Sequence, residues 1–447
     1  MSIRRFLMNW TIALAASCCL VVTAAAPTFA QARDSTPVER RAAQIVAAIN
    51  GGPFDIDTLF APTFLAQLPS TRIHQLFAQL ATQFGAIDSV TPTASGTHTA
   101  TNAVFQLALH KGYSMPMTVN IAATPPGRVD GLLFGTPSKS AATLDDLVRE
   151  FAALPGHVSF LAARVDGSSI VPIAGLDTSS SRAIGSAFKL YILAELVREI
   201  EAGTRHWKDV VLLDDASRSL PSGALHAWPS GTPMTVQTLA TLMISQSDNT
   251  AADRLLHVLG RERVENNQAA AGNAHAARNM PFLTTREMFA LKSPASSGLL
   301  TQYLSGTTST RRAVVAEIDK KPYTDIAPDF SRGPVAIDSV EWFASPSDLA
   351  HTMIWLRNHS ANGEAAAARG VLAVNPGINW PGTMWSYVGF KGGSEPGVLD
   401  LTFLLRRADG NWFVLTATWN NAEKAVDEGM FLALVKRAGE LLAVDRR

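Results

Sequence analysis

The chain has 447 residues, 47% of them hydrophobic and 17% charged, with 38 Lys and Arg set against 38 Asp and Glu. That length accommodates two or three domains at roughly 150 residues each, and the apolar share is enough to fill their cores. A net charge of zero and the lack of any long Lys/Arg run argue against a polyanionic partner, so no nucleic acid is expected.

The first thirty residues read as a targeting segment. Arg4 and Arg5 give a basic start, residues 10–27 are almost wholly apolar and uncharged, and Thr28-Phe29-Ala30 offers small residues for cleavage after Ala30. The alternative is a membrane anchor, since about 18 apolar residues just span a bilayer. A lipidation signal is matched only loosely by Ala15-Ala16-Ser17-Cys18. Both cysteines, Cys18 and Cys19, fall inside this segment. The cleaved protein would therefore hold none, which removes disulfides, thiol catalysis and thiolate metal sites together. No other run is long and apolar enough to cross a membrane. The expectation is an exported protein, periplasmic or secreted, with no stable membrane insertion after cleavage.

Residues 36–138 have the pattern of a small α+β unit. Helical apolar spacing at 38–48 and 70–84 precedes strand-like runs at 90–93, 103–110, 117–122 and 129–134, separated by Gly, Pro and Asn. Two helices followed by a curved antiparallel sheet suggest a cone-shaped module of the nuclear-transport-factor-like or cystatin-like kind. No charged or His cluster marks a site there, so the module reads as a structural or binding accessory.

A linker is expected at Thr136-Pro137-Ser138 and Ser140-Ala141-Ala142, then a helix at 144–154 and a β-hairpin at 158–165 and 169–174 around Asp166-Gly167. Residues 185–202 form a long predicted helix with Leu190, Leu193, Leu196, Val197 and Ile200 on one stripe. Further helices are expected at 235–246 and 250–259. Two more begin with capping signals, Thr284 with Glu287 and Ser345 with Pro346 and Asp348. The last elements are strands at 398–407 and 412–419 around Asp409-Gly410, then a helix at 423–442. Strands at both ends enclosing helices imply one domain, 144–443, whose sheet is assembled from its two termini.

Three short motifs carry chemistry. Ser186-Ala187-Phe188-Lys189 sits where a turn becomes a helix, and residues three apart share a helix face, so Lys189 projects beside Ser186. A serine hydroxyl needs a base to become a nucleophile, and an amine serves if positive neighbours or desolvation lower its pKa. Ser247-Asp248-Asn249 follows 61 residues later, between two helices, where a second hydroxyl can relay a proton and Asn249 can hold a substrate amide. Lys391-Gly392-Gly393-Ser394 ends a strand-like run, with an ammonium for a carboxylate and glycines that let a ligand approach the backbone. Each alone has a plain structural reading, a helix cap or a surface lysine.

Taken together, in this order and context, they resemble the class A β-lactamase and penicillin-binding protein family. The stretch from Met234-Thr235-Val236 to Ser247-Asp248-Asn249-Thr250-Ala251-Ala252 is especially similar to class A members, and the resemblance covers about residues 144–443. It implies an α/β (α+β) two-layer class A β-lactamase/DD-peptidase-like domain, with an antiparallel sheet and a helical subdomain, behind the small α+β cone-like domain. The implied activity is that of an exported serine hydrolase forming an acyl-enzyme on a small molecule, a β-lactam or a related peptide or ester, with no cofactor and no metal. The oligomeric state is left open. By the same resemblance Ser186 is the nucleophile, Lys189 the general base, and Ser247 and Lys391 relay protons. Asn249, Gly393 and Ser394 bind substrate, and the N–H groups of Ser186 and Ser394 form the oxyanion hole. The alternatives are a DD-peptidase or esterase using the same residues, or a ligand-binding protein without catalysis.

The pattern departs from the family in several places. Class A enzymes hydrolyse their acyl-enzyme through a glutamate-held water, yet residues 266–281, before Thr284-Thr285-Arg286-Glu287, contain no acid. Glu262 and Glu265 precede that stretch without the family's surrounding residues, and Glu287 reads as a cap, so slow deacylation is expected. Gly392 replaces the usual Thr or Ser. Extra length at 301–338 includes Arg311 and Arg312, placed at the cleft mouth, with Arg311 as a partner for a substrate carboxylate. The added N-terminal module and altered loop are similar in architecture to the β-lactamase-like proteins of clavulanic acid biosynthesis clusters.

Overall fold

Helix α1 starts where the sequence supplies every starting signal: Thr36 caps it, Glu39 closes the capping box and Pro37 occupies the first turn. The computed structural model describes residues 36–93, 99–139, 141–321, 329, 331, 333–380 and 383–446; the predicted targeting segment with its cysteines and part of 301–338 lie outside these. The first unit has helices α1 (Pro37–Ile49), α2 (Ile56–Leu59), α3 (Pro62–Gln67) and α4 (Ser70–Phe84), then strands β1 (Ile87–Pro92), β2 (Asn102–Leu109), β3 (Tyr113–Ile121), β4 (Val129–Phe134) and β5 (Ser138–Lys139). The sheet runs β1-β2-β3-β4 with β5 added against β3. Alternate residues of β2 and β3 are buried, so Phe105, Leu107, Met115, Met117 and Val119 form one face against Ile45 and Phe77 of the helices. Strand β3 begins four residues before the predicted 117, because Pro116 interrupts the strand pattern in the sequence but is accommodated in the sheet.

The second unit begins with α5 (Leu144–Ala152), β6 (His157–Asp166), β7 (Ser169–Leu176), β8 (Arg182–Ala183) and a 3-10 turn, Gly185–Phe188, leading into α6 (Lys189–Glu201). The middle contains β9 (Val210–Leu212), β10 (Pro233–Thr235), α7 (Val236–Ser245), α8 (Asn249–Leu259), α9 (Arg261–Ala270), α10 (Thr285–Lys292), α11 (Ser297–Ser305) and α12 (Thr308–Ile318). It closes with β11 (Phe343–Ala344), α13 (Pro346–His359), α14 (Ala367–Ala373), β12 (Tyr387–Glu395), β13 (Val398–Arg406), β14 (Trp412–Asn420) and α15 (Glu428–Val444). The main sheet has the order β12-β13-β14-β6-β7 with every pair antiparallel, so strands from the two ends of the unit meet at β14 and β6.

Both faces of this sheet are covered, which is why β13 and β14 are buried almost without alternation. Phe160, Phe403 and Leu415 face α5 and α15, while Leu161, Leu404 and Val414 face the helical part. Helix α6 is central there. Residues 189–197 are all buried, a wider contact than the single predicted stripe, because α7, α8, α9 and α13 all pack around it. The predicted last helix starts at Glu428 rather than 423, since Asp427 caps it by accepting from the Met430 N–H at 2.9 Å. Among the described residues no helix is long and apolar enough to cross a membrane.

Behind the start of α6, the rings of Phe188 and Trp342 stack 3.6 Å apart between centroids, 7° from parallel, and the Trp342 indole N–H donates to the Leu283 carbonyl at 3.0 Å. Both rings are fully buried. Trp342→Ala is therefore expected to cost about 3–5 kcal/mol of stability, read from denaturant unfolding.

Candidate active site

Gly185 holds a positive φ of 47°, a conformation a side chain resists, and so turns the chain sharply into Ser186. End strand β12 runs against this turn. A Cβ on Gly393 would lie 2.3 Å from the Ser186 nitrogen and 2.2 Å from the Ile184 carbonyl oxygen, and one on Gly185 would lie 3.1 Å from the Ser394 nitrogen. The backbones of Ser186 and Ser394 are thus side by side, an approach only glycine at 393 permits.

Lys189, one turn on, has no exposure at all. Its Nζ lies 3.2 Å from Ser186 Oγ, 3.1 Å from Ser247 Oγ, 2.6 Å from the Ser247 carbonyl oxygen and 2.7 Å from Asn249 Oδ1. The carbonyl and the amide oxygen can only accept. A neutral amine that gives its two N–H bonds to them keeps a lone pair for a hydroxyl proton. The electrostatics favour that form: burial pushes the Lys189 pKa well below the usual lysine range, and the Lys391 charge adds to this, against the pull of Asp253 and Asp248.

Ser247 also has a positive φ, 55°, between α7 and α8. Its neighbour Asp248 caps α8 by accepting from the Ala251 N–H at 2.8 Å, and reaches across to the N–H groups of Ala224 and Leu225 at 2.7 and 3.0 Å. Gly223 makes room for that carboxylate, since a Cβ there would lie 2.2 Å from it. The Ser222 hydroxyl donates to the Ser247 carbonyl at 2.5 Å, and the Asn249 amide donates to the Leu220 carbonyl at 3.1 Å. The Asn249 side chain is therefore bound at both ends, as an acceptor for Lys189 and a brace for the 220–222 loop.

Lys391 completes the ring, with Nζ 3.0 Å from Ser247 Oγ. Burial lowers its pKa to about 7, opposed by Asp400. Asp400 is pushed up to about 7 by its own burial, opposed by hydrogen bonds from the Thr418 and Thr402 hydroxyls and by Lys391. Asp400 is a site residue the motifs did not reveal. Its signal in the sequence is a lone acid flanked by Val398, Leu399 and Leu401 in a strand, a placement that is costly without a partner.

Ser186, Ser247, Asn249, Lys391, Gly393 and Ser394 all line one cleft of about 370 Å³, with Lys189 beneath its floor. Gly392 lines it as well, and a Cβ there would lie 2.8 Å from the Phe390 ring and 2.9 Å from the Asp400 carbonyl. The hydroxyl residue usual at this position in the family has no room unless the Phe390 ring and the Asp400 backbone both give way.

Other expected residues lie elsewhere. Glu265 accepts from the Phe282 N–H at 2.8 Å and pairs with Arg312 at 2.5 Å, and Glu287 caps α10 while bound to Arg261. Arg311 lies over the Tyr303 ring. None of these lines the cleft, and neither does Glu262. The reading of Arg311 and Arg312 at the cleft mouth is corrected accordingly: α12 turns both toward α9 and α11, where buried Glu265 and the Tyr303 ring hold them.

The family model described as "Beta-lactamase enzyme family" matches residues 139–366, just over half of the chain, and the chain belongs to that family. No curated protein matches. Similar solved structures include a β-lactamase from Sphaerobacter thermophilus, 20% identical over 68% of this chain and 96% of that one, TM-score 0.47. A β-lactamase from Burkholderia phymatum is 15% identical over 67% of this chain and 97% of its own, TM-score 0.45. A mutant of PBP-A, in acyl-enzyme complex with penicillin G, is 12% identical over 67% of this chain and 95% of its own, TM-score 0.45.

Because Gly393 touches the Ser186 turn, Gly393→Ala must push β12 away from it. The expected cost is about 1–3 kcal/mol in stability, seen as a lower Tm. A loss of covalent labelling at Ser186 by a fluorophosphonate probe should accompany it.

Proposed function

We propose that this chain is an exported serine hydrolase that forms an acyl-enzyme on Ser186 with β-lactams or related amides and esters. The observation that carries this is the dry amine of Lys189, within hydrogen-bond reach of both Ser186 Oγ and Ser247 Oγ. Lys189 takes the Ser186 proton as Oγ attacks the substrate carbonyl. The carbonyl oxygen, now negative, is received by the backbone N–H groups of Ser186 and Ser394, a kind of donor whose removal typically costs about 3 kcal/mol of transition-state stabilisation. The proton then passes from Lys189 to Ser247, and from Ser247 to the leaving nitrogen. Lys391, on the other side of Ser247, supports that hydroxyl and offers a positive charge to the substrate.

The lack of an acid in residues 266–281 supports slow release of the acyl group at neutral pH. The glycine at 392, which offers no hydroxyl to a substrate carboxylate, favours esters or amides without one as a second substrate class. The basic and apolar first thirty residues support export, with a processed chain beginning at Gln31; N-terminal sequencing of the exported protein tests this.

Intact-protein mass spectrometry with several β-lactams is expected to show a persistent adduct of one acyl group, abolished by Ser186→Ala. Tight binding without any adduct would replace the enzyme with a binding protein. D-Ala-D-Ala peptides and short acyl esters, assayed in parallel, separate peptidase from esterase action. The acylation rate should rise with pH as Lys189 loses its proton, with the ascending limb well below the ordinary lysine range. Lys391→Ala should move that limb to higher pH, because the Lys391 charge is one cause of the depression.

A further inference from the structure

Side chains alternate along a strand, so residues 391, 393 and 395 of β12 share a face. The first meets Ser247, and the absent side chain of the second points at the Ser186 nitrogen. Glu395 is the next residue on this face, about 7 Å further along, and it lines the same cleft as Ser186. The nucleophile therefore lies between an amine and a carboxyl carried by one strand.

The Glu395 side chain is 4% exposed. One carboxyl oxygen is bound to Lys292 at the end of α10, and the carboxyl also shares a hydrogen bond with the Glu341 carboxyl when one of the two is protonated. A carboxyl that can carry or release a proton at the wall of the cleft is placed to exchange one with water bound there. Glu341, from the segment before β11, stands 3.4 Å from Lys292 and spends its other oxygen on the Trp342 N–H at 3.0 Å. Of the two acids that share Lys292, only Glu395 lines the cleft.

We propose that Glu395 is the base that activates water for hydrolysis of the Ser186 acyl-enzyme, a step that rests on the acyl-enzyme reading above. Water gives its proton to the Glu395 carboxylate as its oxygen bonds to the acyl carbon, and the carbonyl π pair moves onto oxygen. Collapse reforms the carbonyl and breaks the bond to Ser186 Oγ. The proton passes from Glu395 to that oxygen, and the free acid departs. The groups facing Glu395 are Lys292 on α10 and Glu341 before β11, with Lys391 two positions of the same face away on its own strand. Burial first, then Glu341, raise the Glu395 pKa to about 8, against Lys292. At neutral pH the carboxyl is mostly protonated and idle as a base, so deacylation is expected to be slow there and faster in alkali.

The test follows the lifetime of a benzylpenicillin adduct by mass spectrometry from pH 6 to 10 (about two units either side of the Glu395 pKa). In the wild-type protein the decay rate should climb through about pH 8. Glu395→Gln should slow decay by about 100-fold or more and flatten its pH profile, with adduct formation much less affected. Glu395→Asp should restore part of the rate. Wild-type decay that is flat with pH overturns the proposal, without depending on any variant. So does equal decay in Glu395→Gln, and so does a parallel fall of melting temperature, adduct formation and decay in both variants. Absence of any wild-type adduct would instead overturn the acyl-enzyme reading itself.

Discussion

The cleft depends on keeping one amine dry. A lysine with no exposure cannot hold its charge cheaply, and the protein supplies neutral oxygens around Lys189 rather than a carboxylate in contact. Three elements must stay in register for this: the turn into α6 that carries Ser186, the α7–α8 loop that carries Ser247 and Asn249, and β12 with Lys391. The chain tightens each one by a backbone device. Positive φ at Gly185 and Ser247 aims two hydroxyls inward, Asp248 clamps its loop through backbone N–H groups, and Gly393 lets the strand touch the turn. Rigid placement of this kind is what the proposed partnership of the Ser186 hydroxyl and the Lys189 amine requires.

The motif residues could be read from the sequence because their spacing is local. Ser186 and Lys189 are three apart across the 3-10 turn that leads into α6, and Ser247 and Asn249 flank one cap. Their convergence with Lys391, 144 positions beyond Ser247, was legible only through resemblance to a family. What stayed hidden is mostly long-range. Asp400 acts across a strand pair, Ser222 reaches Ser247 from a separate loop, and Glu395 meets Lys292 from 103 positions away. No periodicity reports such pairings. The misplaced Arg311 and Arg312 show the same limit: both lie on α12, and the partners that fix their direction, Tyr303 and Glu265, come from other helices.

Element boundaries tell a similar story on a smaller scale. Capping signals at Thr284 and Ser345 mark helix starts in the sequence and are found in the structure, because both halves of each box are local. The full burial of α6 was underread, since an apolar stripe reveals one contact surface and tertiary packing around Glu195 and Glu199 supplied the rest. Those two acids stay buried through ion pairs with Arg198, Arg205 and Arg263.

Helix α15 belongs to both units. Ala433 sits in the core of the first, while Phe431, Leu434 and Val435 pack under the main sheet of the second. Gln83 donates to Asp427 across 344 positions, and Lys436 donates to the Thr136 carbonyl across 300. On a ribosome adding about 5–20 residues per second, the first unit would wait roughly 15–60 s for the helix that finishes its core. Throughout that interval it would show an apolar strip to its surroundings, so nascent chains of this protein should be good clients for holding chaperones until the last helix arrives.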